Sequence, residues 1–198
     1  MQACSAVVLA GGRATRLGGV NKAQLQIGGV PVLDRVVGAL RPLASQIIVV
    51  GHLAGDYPPP GVEVVPDALA EHSTLVGVYT GLLAIRNEVA LVVGCDMPFL
   101  STRLLERIAL LSEGYDVAVP LVGGHLEALH AAYRRSCLPV MEEAIRRQQL
   151  KIIDFYPRVG VRQVEDAEIL NLDPELRSFF NVNTPADLER ARSLAAQS

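Results

Sequence analysis

Short apolar runs alternate along this chain with stretches whose apolar positions recur every three or four residues. Ser5–Ala10 is valine-rich without alternation, the pattern of a strand buried on both faces, and it ends at Gly11-Gly12. Lys22–Ile27 alternates, with Leu25 and Ile27 on one side and Gln24 and Gln26 on the other, before a turn at Gly28-Gly29. Pro31 suits the first turn of a helix whose apolar face is Val32, Leu33, Val36, Val37 and Leu40, and Pro42 ends it. Gln46–Val50 and Val62–Val65 read as strands, separated by a proline-stiffened surface loop over Asp56–Gly61. Thr74–Ile85 reads as a helix with Leu75, Val78, Leu82 and Ile85 on one face, and its Gly77 and Gly81 suggest close packing. Ala90–Val93 is a further strand, and Ser101 N-caps a helix that buries Leu104, Leu105, Ile108 and Leu111.

From Asp116 the pattern loosens. Asp116–Leu121 and Leu129–Tyr133 read as strands, Cys137–Arg147 as a helix, and Lys151–Val164 as irregular chain with Ile152, Ile153, Phe155 and Tyr156 partly buried. Thr184, Pro185 and Asp187 then form a helix start, continued by Leu188 and Ala191, with a tail fraying from Ala195. Strands alternating with helices imply right-handed crossovers. The expected fold is therefore a single α/β domain of three α/β/α layers around a mostly parallel, Rossmann-like sheet. No repeat, low-complexity segment or linker divides it.

Bulk properties narrow the classes. The 198 residues are half hydrophobic and one-fifth charged, enough for one large core. The net charge of −3 speaks against a general nucleic-acid binder. Three scattered cysteines, Cys4, Cys95 and Cys137, argue for a reducing compartment and for buried thiols rather than disulfides. No apolar run reaches the ~20 residues that span a bilayer, and the start lacks a signal-peptide pattern, so a cytoplasmic location and no membrane partner are expected.

Gly11-Gly12, Gly51-His52, Asp67 and Asp96 all follow the carboxyl ends of expected strands, the edge that lines the ligand crevice in an open parallel sheet. In the loop Gly11–Lys22 the glycines let backbone N–H groups approach an anion, and Arg13, Arg16 and Lys22 are placed to neutralise phosphates. The same residues also make a flexible turn with solvated cations. The loop is neither a Walker A motif nor a GxGxxG fingerprint. Asp96, in Gly94-Cys95-Asp96-Met97-Pro98, suits a magnesium ion or simply satisfies a turn. Asn181 and Asn183, one residue apart, face the same way on extended backbone and suit a ligand or a helix lead-in. The four histidines make no metal set; each reads as solvated or hydrogen-bonded, with His52 at a strand end.

Leu9-Ala10-Gly11-Gly12, Arg16, Gly18-Gly19 and Lys22 resemble the signature of nucleotidyltransferases that make pyrophosphate-linked nucleotides. With Val93–Phe99 and Phe180-Asn181-Val182-Asn183-Thr184-Pro185, the chain resembles the molybdenum cofactor guanylyltransferases, the MobA family, from about Ser5 to about Ala191. That resemblance implies a nucleotide-diphospho-sugar transferase-like fold, with a nucleotide-binding half over about 1–115 and an acceptor-binding half over about 116–198. It implies transfer of GMP from GTP to molybdopterin or Mo-molybdopterin, with Mg²⁺ as cofactor. Leu9, Ala10, Gly11 and Gly12 would contact the nucleotide, Lys22 the phosphates, and Asp67 the nucleotide site. Asp96 would hold the metal, Lys22 and Arg16 would assist transfer, and Asn181 and Asn183 would bind the acceptor. Partner proteins would be a molybdopterin-delivering protein and acceptor molybdoenzymes. Gly11-Gly12 fits guanine, since cytidine-using relatives tend to carry Leu-Ala-Ala-Gly. Two departures stand out: Gly51 where the family often has asparagine, and Glu127–Tyr133 in place of a Gln-Pro-Leu-type motif. The rival readings are a CTP-dependent molybdopterin cytidylyltransferase, a sugar- or polyol-phosphate nucleotidyltransferase, and a non-catalytic nucleotide-binding partner in cofactor maturation.

Overall fold

The structure, a computed structural model, describes residues 4–10, 16–17, 20–21, 24–51, 58–69, 71 and 73–197, with no side-chain description at 16, 17, 20 and 21. Its elements in chain order are β1 (Cys4–Leu9), β2 (Arg16–Leu17), β3 (Val20–Asn21), β4 (Gln26–Ile27), β5 (Val30–Pro31), α1 (Val32–Leu40), β6 (Ala44–Val50) and β7 (Val62–Val65). These are followed by α2 (Thr74–Ala84), β8 (Val89–Gly94), α3 (Thr102–Leu111), β9 (Val117–Val122), β10 (His125–Leu126), β11 (His130–Arg134), α4 (Leu138–Arg146), β12 (Val161–Val164), α5 (Asp166–Leu170) and α6 (Pro185–Ala195).

The main sheet runs β10-β9-β11-β8-β1-β6-β7, with β12 beside β9. Strands β1, β6, β7 and β8 are parallel to their neighbours in this set. β11 runs antiparallel to both β8 and β9. The chain winds outward from β1 through β6 to β7, then returns to the other side of β1 at β8, so the direction of winding reverses between β1 and β8.

Side chains alternate across the strands and build two cores. Ala6, Val8, Val49, Leu91 and Val93 pack with Leu33, Val36, Leu40, Leu104 and Ile108, from α1 and α3. Val7, Ile48, Ala90 and Val92 pack with Leu75, Val78, Leu82, Met141 and Ile145, from α2 and α4. Helices therefore cover both faces, and the central strands are largely apolar, as an interior parallel sheet requires, with buried Ser5 of β1 satisfied by Gln46 of β6 (3.0 Å). The five apolar positions expected for α1 are all buried.

Two glycines set the spacing of α2 on β1. A Cβ on Gly81 would sit 2.4 Å from Val7 Cγ1, and one on Gly77 would sit 3.3 Å from Leu9 Cδ2. The hairpin β4–β5 turns on Gly28 and Gly29, at φ +59° and +76°, where only glycine is unstrained. The segment Lys151–Val164, expected to be irregular, instead contains a 3₁₀ turn at Tyr156–Arg158 and β12, parallel to β9. Arg162 and Gln163 interrupt its apolar pattern, and the pairing that makes it a strand comes from distant β9.

Candidate active site

The strand ends meet through main-chain hydrogen bonds. Cys95 N donates to Leu9 O (3.1 Å), across the point where the winding reverses. Ala10 N donates to Val50 O (2.9 Å) and Gly51 N to Val65 O (3.0 Å), so the ends of β1, β6 and β7 stand in line. On the other side Gly94 N donates to Leu129 O (3.3 Å), joining the end of β8 to the approach to β11. Leu9 closes β1, and Ala10, Asp67 and Asp96 follow strands that finish on the same edge of the sheet; the reversal between β1 and β8 leaves the crevice in which open α/β sheets bind ligands.

Helix α2 adds charge to this edge. Its contacts run from Gly77 on Leu9 to Gly81 on Val7, so its N-terminus lies over the end of β1. Ser73 caps it by accepting from Val76 N (3.2 Å), and the first turn carries no acidic residue to offset the positive end of the dipole. The loop behind Asp67 is tied to the same helix, Ala68 N donating to Thr80 Oγ1 (3.0 Å).

Asp96 is half-buried, and the residue two before it makes its position possible. A Cβ on Gly94 would lie 2.8 Å from Asp96 Oδ1. Asp96 O accepts from Val182 N (2.9 Å), which places the segment Asn181-Val182-Asn183 directly beside the end of β8. Val182 is buried in a third apolar cluster with Ile27, Val32, Leu188 and Ala191. Asn181 and Asn183 flank it, half-buried and exposed respectively. Asn181 Nδ2 donates to Phe179 O (3.1 Å). Beyond, Thr184 and Asp187 form a capping box for α6, and Asp187 Oδ2 also accepts from Asn183 N (3.0 Å).

The turn before β11 is held from below. Tyr133 Oη donates to Ala128 O (2.8 Å), and Tyr156 Oη lies 2.7 Å from Tyr133 Oη. A carbonyl only accepts, so the proton shared by the two phenols belongs to Tyr156. Burial keeps the Glu127 carboxyl above its ordinary range, His125 opposing weakly. Burial likewise raises the Cys4 thiol and pushes Cys137 up to about 12, Asp116 adding to the latter, so both behave as buried apolar groups.

Gly11, Gly12, Lys22 and His52 lie outside the described residues. Of Arg16 the backbone is described, paired with Asn21 in β2–β3. One expectation needs correcting. His130 is neither solvated nor hydrogen-bonded: it is fully buried, neither ring nitrogen meets a partner among the described residues, and desolvation alone lowers its pKa to about 3. Its place in Leu129–Tyr133, in phase with buried Ala132, is the signal that could have revealed this.

Fold and strand-end crevice together define an open α/β protein with its ligand edge where the winding reverses, and similarity to known proteins gives the class as nucleotidyltransferase. Residues 6–159 match the MobA-like NTP transferase domain. The chain is 40% identical over 198 residues to a probable molybdenum cofactor guanylyltransferase of Pelotomaculum thermopropionicum, spanning 100% of this chain and 96% of the relative. It is 31% identical over 194 residues to the molybdenum cofactor guanylyltransferase of Desulfosudis oleivorans, covering 98% and 96%. The crystal structure of molybdopterin-guanine dinucleotide biosynthesis protein A from Archaeoglobus fulgidus superposes with a TM-score of 0.84 at 27% identity, over 98% of this chain and 100% of that one. The chain belongs to the MobA-like NTP transferase family.

Proposed function

We propose that this chain transfers GMP from GTP to the terminal phosphate of molybdopterin, giving molybdopterin guanine dinucleotide and pyrophosphate. The names of its relatives support the substrates. The observation that supports the reading most directly is the Val182–Asp96 main-chain hydrogen bond, which joins the asparagine segment to the strand-end crevice. On this reading residues before about 116 serve the nucleotide and the later ones the acceptor.

In the reaction, a terminal phosphate oxygen of molybdopterin bonds to the α-phosphorus of GTP. The bond from that phosphorus to the oxygen bridging to the β-phosphate breaks, and pyrophosphate leaves with the electron pair. The nucleophile is already anionic, so no general base is needed. What the chain must supply is in-line positioning and neutralisation of charge. Leu9, Ala10, Gly11 and Gly12 would contact the nucleotide, with Asp67 at its edge. Lys22 and Arg16 neutralise the phosphates, assisted by the N-terminus of α2. Asn181 and Asn183 orient the acceptor.

Nucleotidyltransferases of this kind generally use a divalent metal. The half-buried Asp96 carboxylate, given room by Gly94, offers a hard oxygen ligand that fits Mg²⁺. Bound there, the ion would withdraw charge from the phosphate oxygens.

The test is pyrophosphate release from purified protein with molybdopterin and Mg²⁺, comparing GTP with CTP. Release with GTP at a kcat/KM at least on the order of tenfold above CTP is expected. Preference for CTP, or no release with either, refutes guanylyl transfer.

A further inference from the structure

Among the described residues, His130 is the one buried group whose chemistry the proposed reaction leaves unused and whose side-chain nitrogens have no hydrogen-bonding partner. It opens β11 opposite Val93, three residues before Asp96. Both ring nitrogens are enclosed and without a hydrogen-bonding partner among the described residues. Its ring lies against Phe179, with centroids 4.7 Å apart and planes inclined at 45°. Natural interiors satisfy nearly all such groups, so a doubly unpartnered imidazole marks a position held for something other than stability.

What lies over it is the start of the asparagine segment. Upstream, the 3₁₀ turn Arg177–Phe179 is fixed firmly: Asp173 Oδ1 accepts from Arg177 N (3.1 Å), Asp173 Oδ2 from Ser178 N (2.8 Å), and Ser178 Oγ from Ser101 N (2.9 Å). The turn opens at Leu176, a non-glycine residue at φ +53°, so the backbone enters it under strain. Downstream, the capping box fixes Thr184. Between these anchors, Phe179–Val182 spans from the His130 ring to the Asp96 carbonyl.

We propose that His130 is a positioning residue for acceptor binding: as Phe179–Val182 closes on the acceptor, the imidazole takes up hydrogen bonds with its backbone that the present arrangement does not supply. Within Phe179–Val182 the N–H groups of Phe179, Phe180 and Val182 are already bonded to Leu176 O, Arg177 O and Asp96 O; a neutral imidazole, with one donor and one acceptor, can therefore bind the Asn181 N–H and a C=O of the segment without importing charge. Burial keeps it neutral across the physiological range. Acceptor affinity then includes the satisfaction of a group left unsatisfied before binding, and stability of the unloaded chain is lowered in exchange.

This inference rests on the reading of Asn181 and Asn183 as the acceptor side, and the experiment separates the two. The unfolding midpoint without substrates, the KM for GTP and the KM for molybdopterin are measured for His130→Phe, His130→Gln and Asn181→Ala. His130→Phe is expected to unfold at a higher midpoint, to leave the KM for GTP unchanged, and to raise that for molybdopterin on the order of fivefold to tenfold. His130→Gln, which keeps a donor and an acceptor, should recover most of that loss, which a merely space-filling role would not predict. An unchanged KM for molybdopterin in His130→Phe, a lower midpoint in that variant, or failure of glutamine to recover binding each overturns the role. If Asn181→Ala leaves the KM for molybdopterin unchanged, the acceptor-side reading itself fails; if it raises that KM while His130→Phe does not, only the role of His130 falls.

Discussion

The burial of His130 fixes a pH dependence of stability that can be worked out in advance. In the unfolded chain an imidazole titrates near 6.5, whereas in the fold desolvation lowers this one to about 3. Between those values the unfolded state binds a proton that the native state does not, so stability falls as pH falls below 6.5 and is unaffected above it. At pH 5 the unfolded imidazole is almost wholly protonated and the buried one is not, which favours unfolding by RT ln(1 + 10^1.5), about 2 kcal/mol relative to pH 8. This figure depends on the unfolded value alone so long as the folded one lies well below 5. The perturbation is His130→Phe, which removes the titrating group while His52, His72 and His125 remain in both proteins. Urea unfolding at pH 8 and pH 5, with equal m-values, reads the double difference directly. Wild type should lose about 2 kcal/mol more than the variant over this interval. A double difference below about 0.5 kcal/mol would mean that the folded imidazole takes up the proton as readily as the unfolded one, and the buried, unpartnered placement would be wrong.

Other predictions follow from the crevice and its supports. Asp96→Ala should abolish metal-stimulated pyrophosphate release while leaving the unfolding midpoint close to wild type; unchanged turnover would remove Asp96 from the metal site. Gly94→Ala should act on the same group indirectly: the new Cβ would meet Asp96 Oδ1 at 2.8 Å, so the carboxylate swings aside and kcat/KM falls on the order of tenfold to a hundredfold with little loss of stability, as paired kinetics and thermal unfolding would show. Lys22→Ala should cost about 2–4 kcal/mol of transition-state stabilisation, measured as kcat/KM for GTP, and a normal value would refute its role. Gly81→Ala, whose Cβ would overlap Val7 Cγ1 at 2.4 Å, should destabilise the fold by about 1–3 kcal/mol in urea; a neutral result would show that α2 can move off β1 freely.

The parts of the molecule legible in the sequence are those governed by local pattern. The valine runs of β1, β6 and β8 read as doubly buried strands because helices cover both faces of the parallel region. Ser101 and Thr184 read as helix caps because capping is settled within four residues. Features set by distant partners were hidden. β12 became a strand through β9, some forty residues earlier, against a local sequence broken by Arg162 and Gln163. Leu176 carries no glycine to signal its left-handed backbone. The alignment of Leu9, Asp67 and Asp96 on one edge could be expected from strand alternation, but the Val182–Asp96 contact spans most of the chain and no spacing announces it. The phase of His130 with Ala132 signals which side of the strand it takes, but that this side is sealed depends on β11 lying between β8 and β9, a pairing set by distant chain.

The reversed direction of β11 has a consequence for how such a protein can diversify. Because β11 runs against β8, and β9 against β11, the end of β9, the short β10 and the start of β11 all arrive at the edge where β1 and β8 finish. The connection through Gly123-Gly124 and Glu127–Leu129 is a hairpin, with no crossover helix to re-pack. Residues can be exchanged or inserted there without disturbing the crossovers that build the first half of the sheet. On the proposed division of the chain into a nucleotide half and an acceptor half, a new acceptor could be accommodated by altering one hairpin while the donor site is kept, so the two substrate specificities would be free to evolve separately.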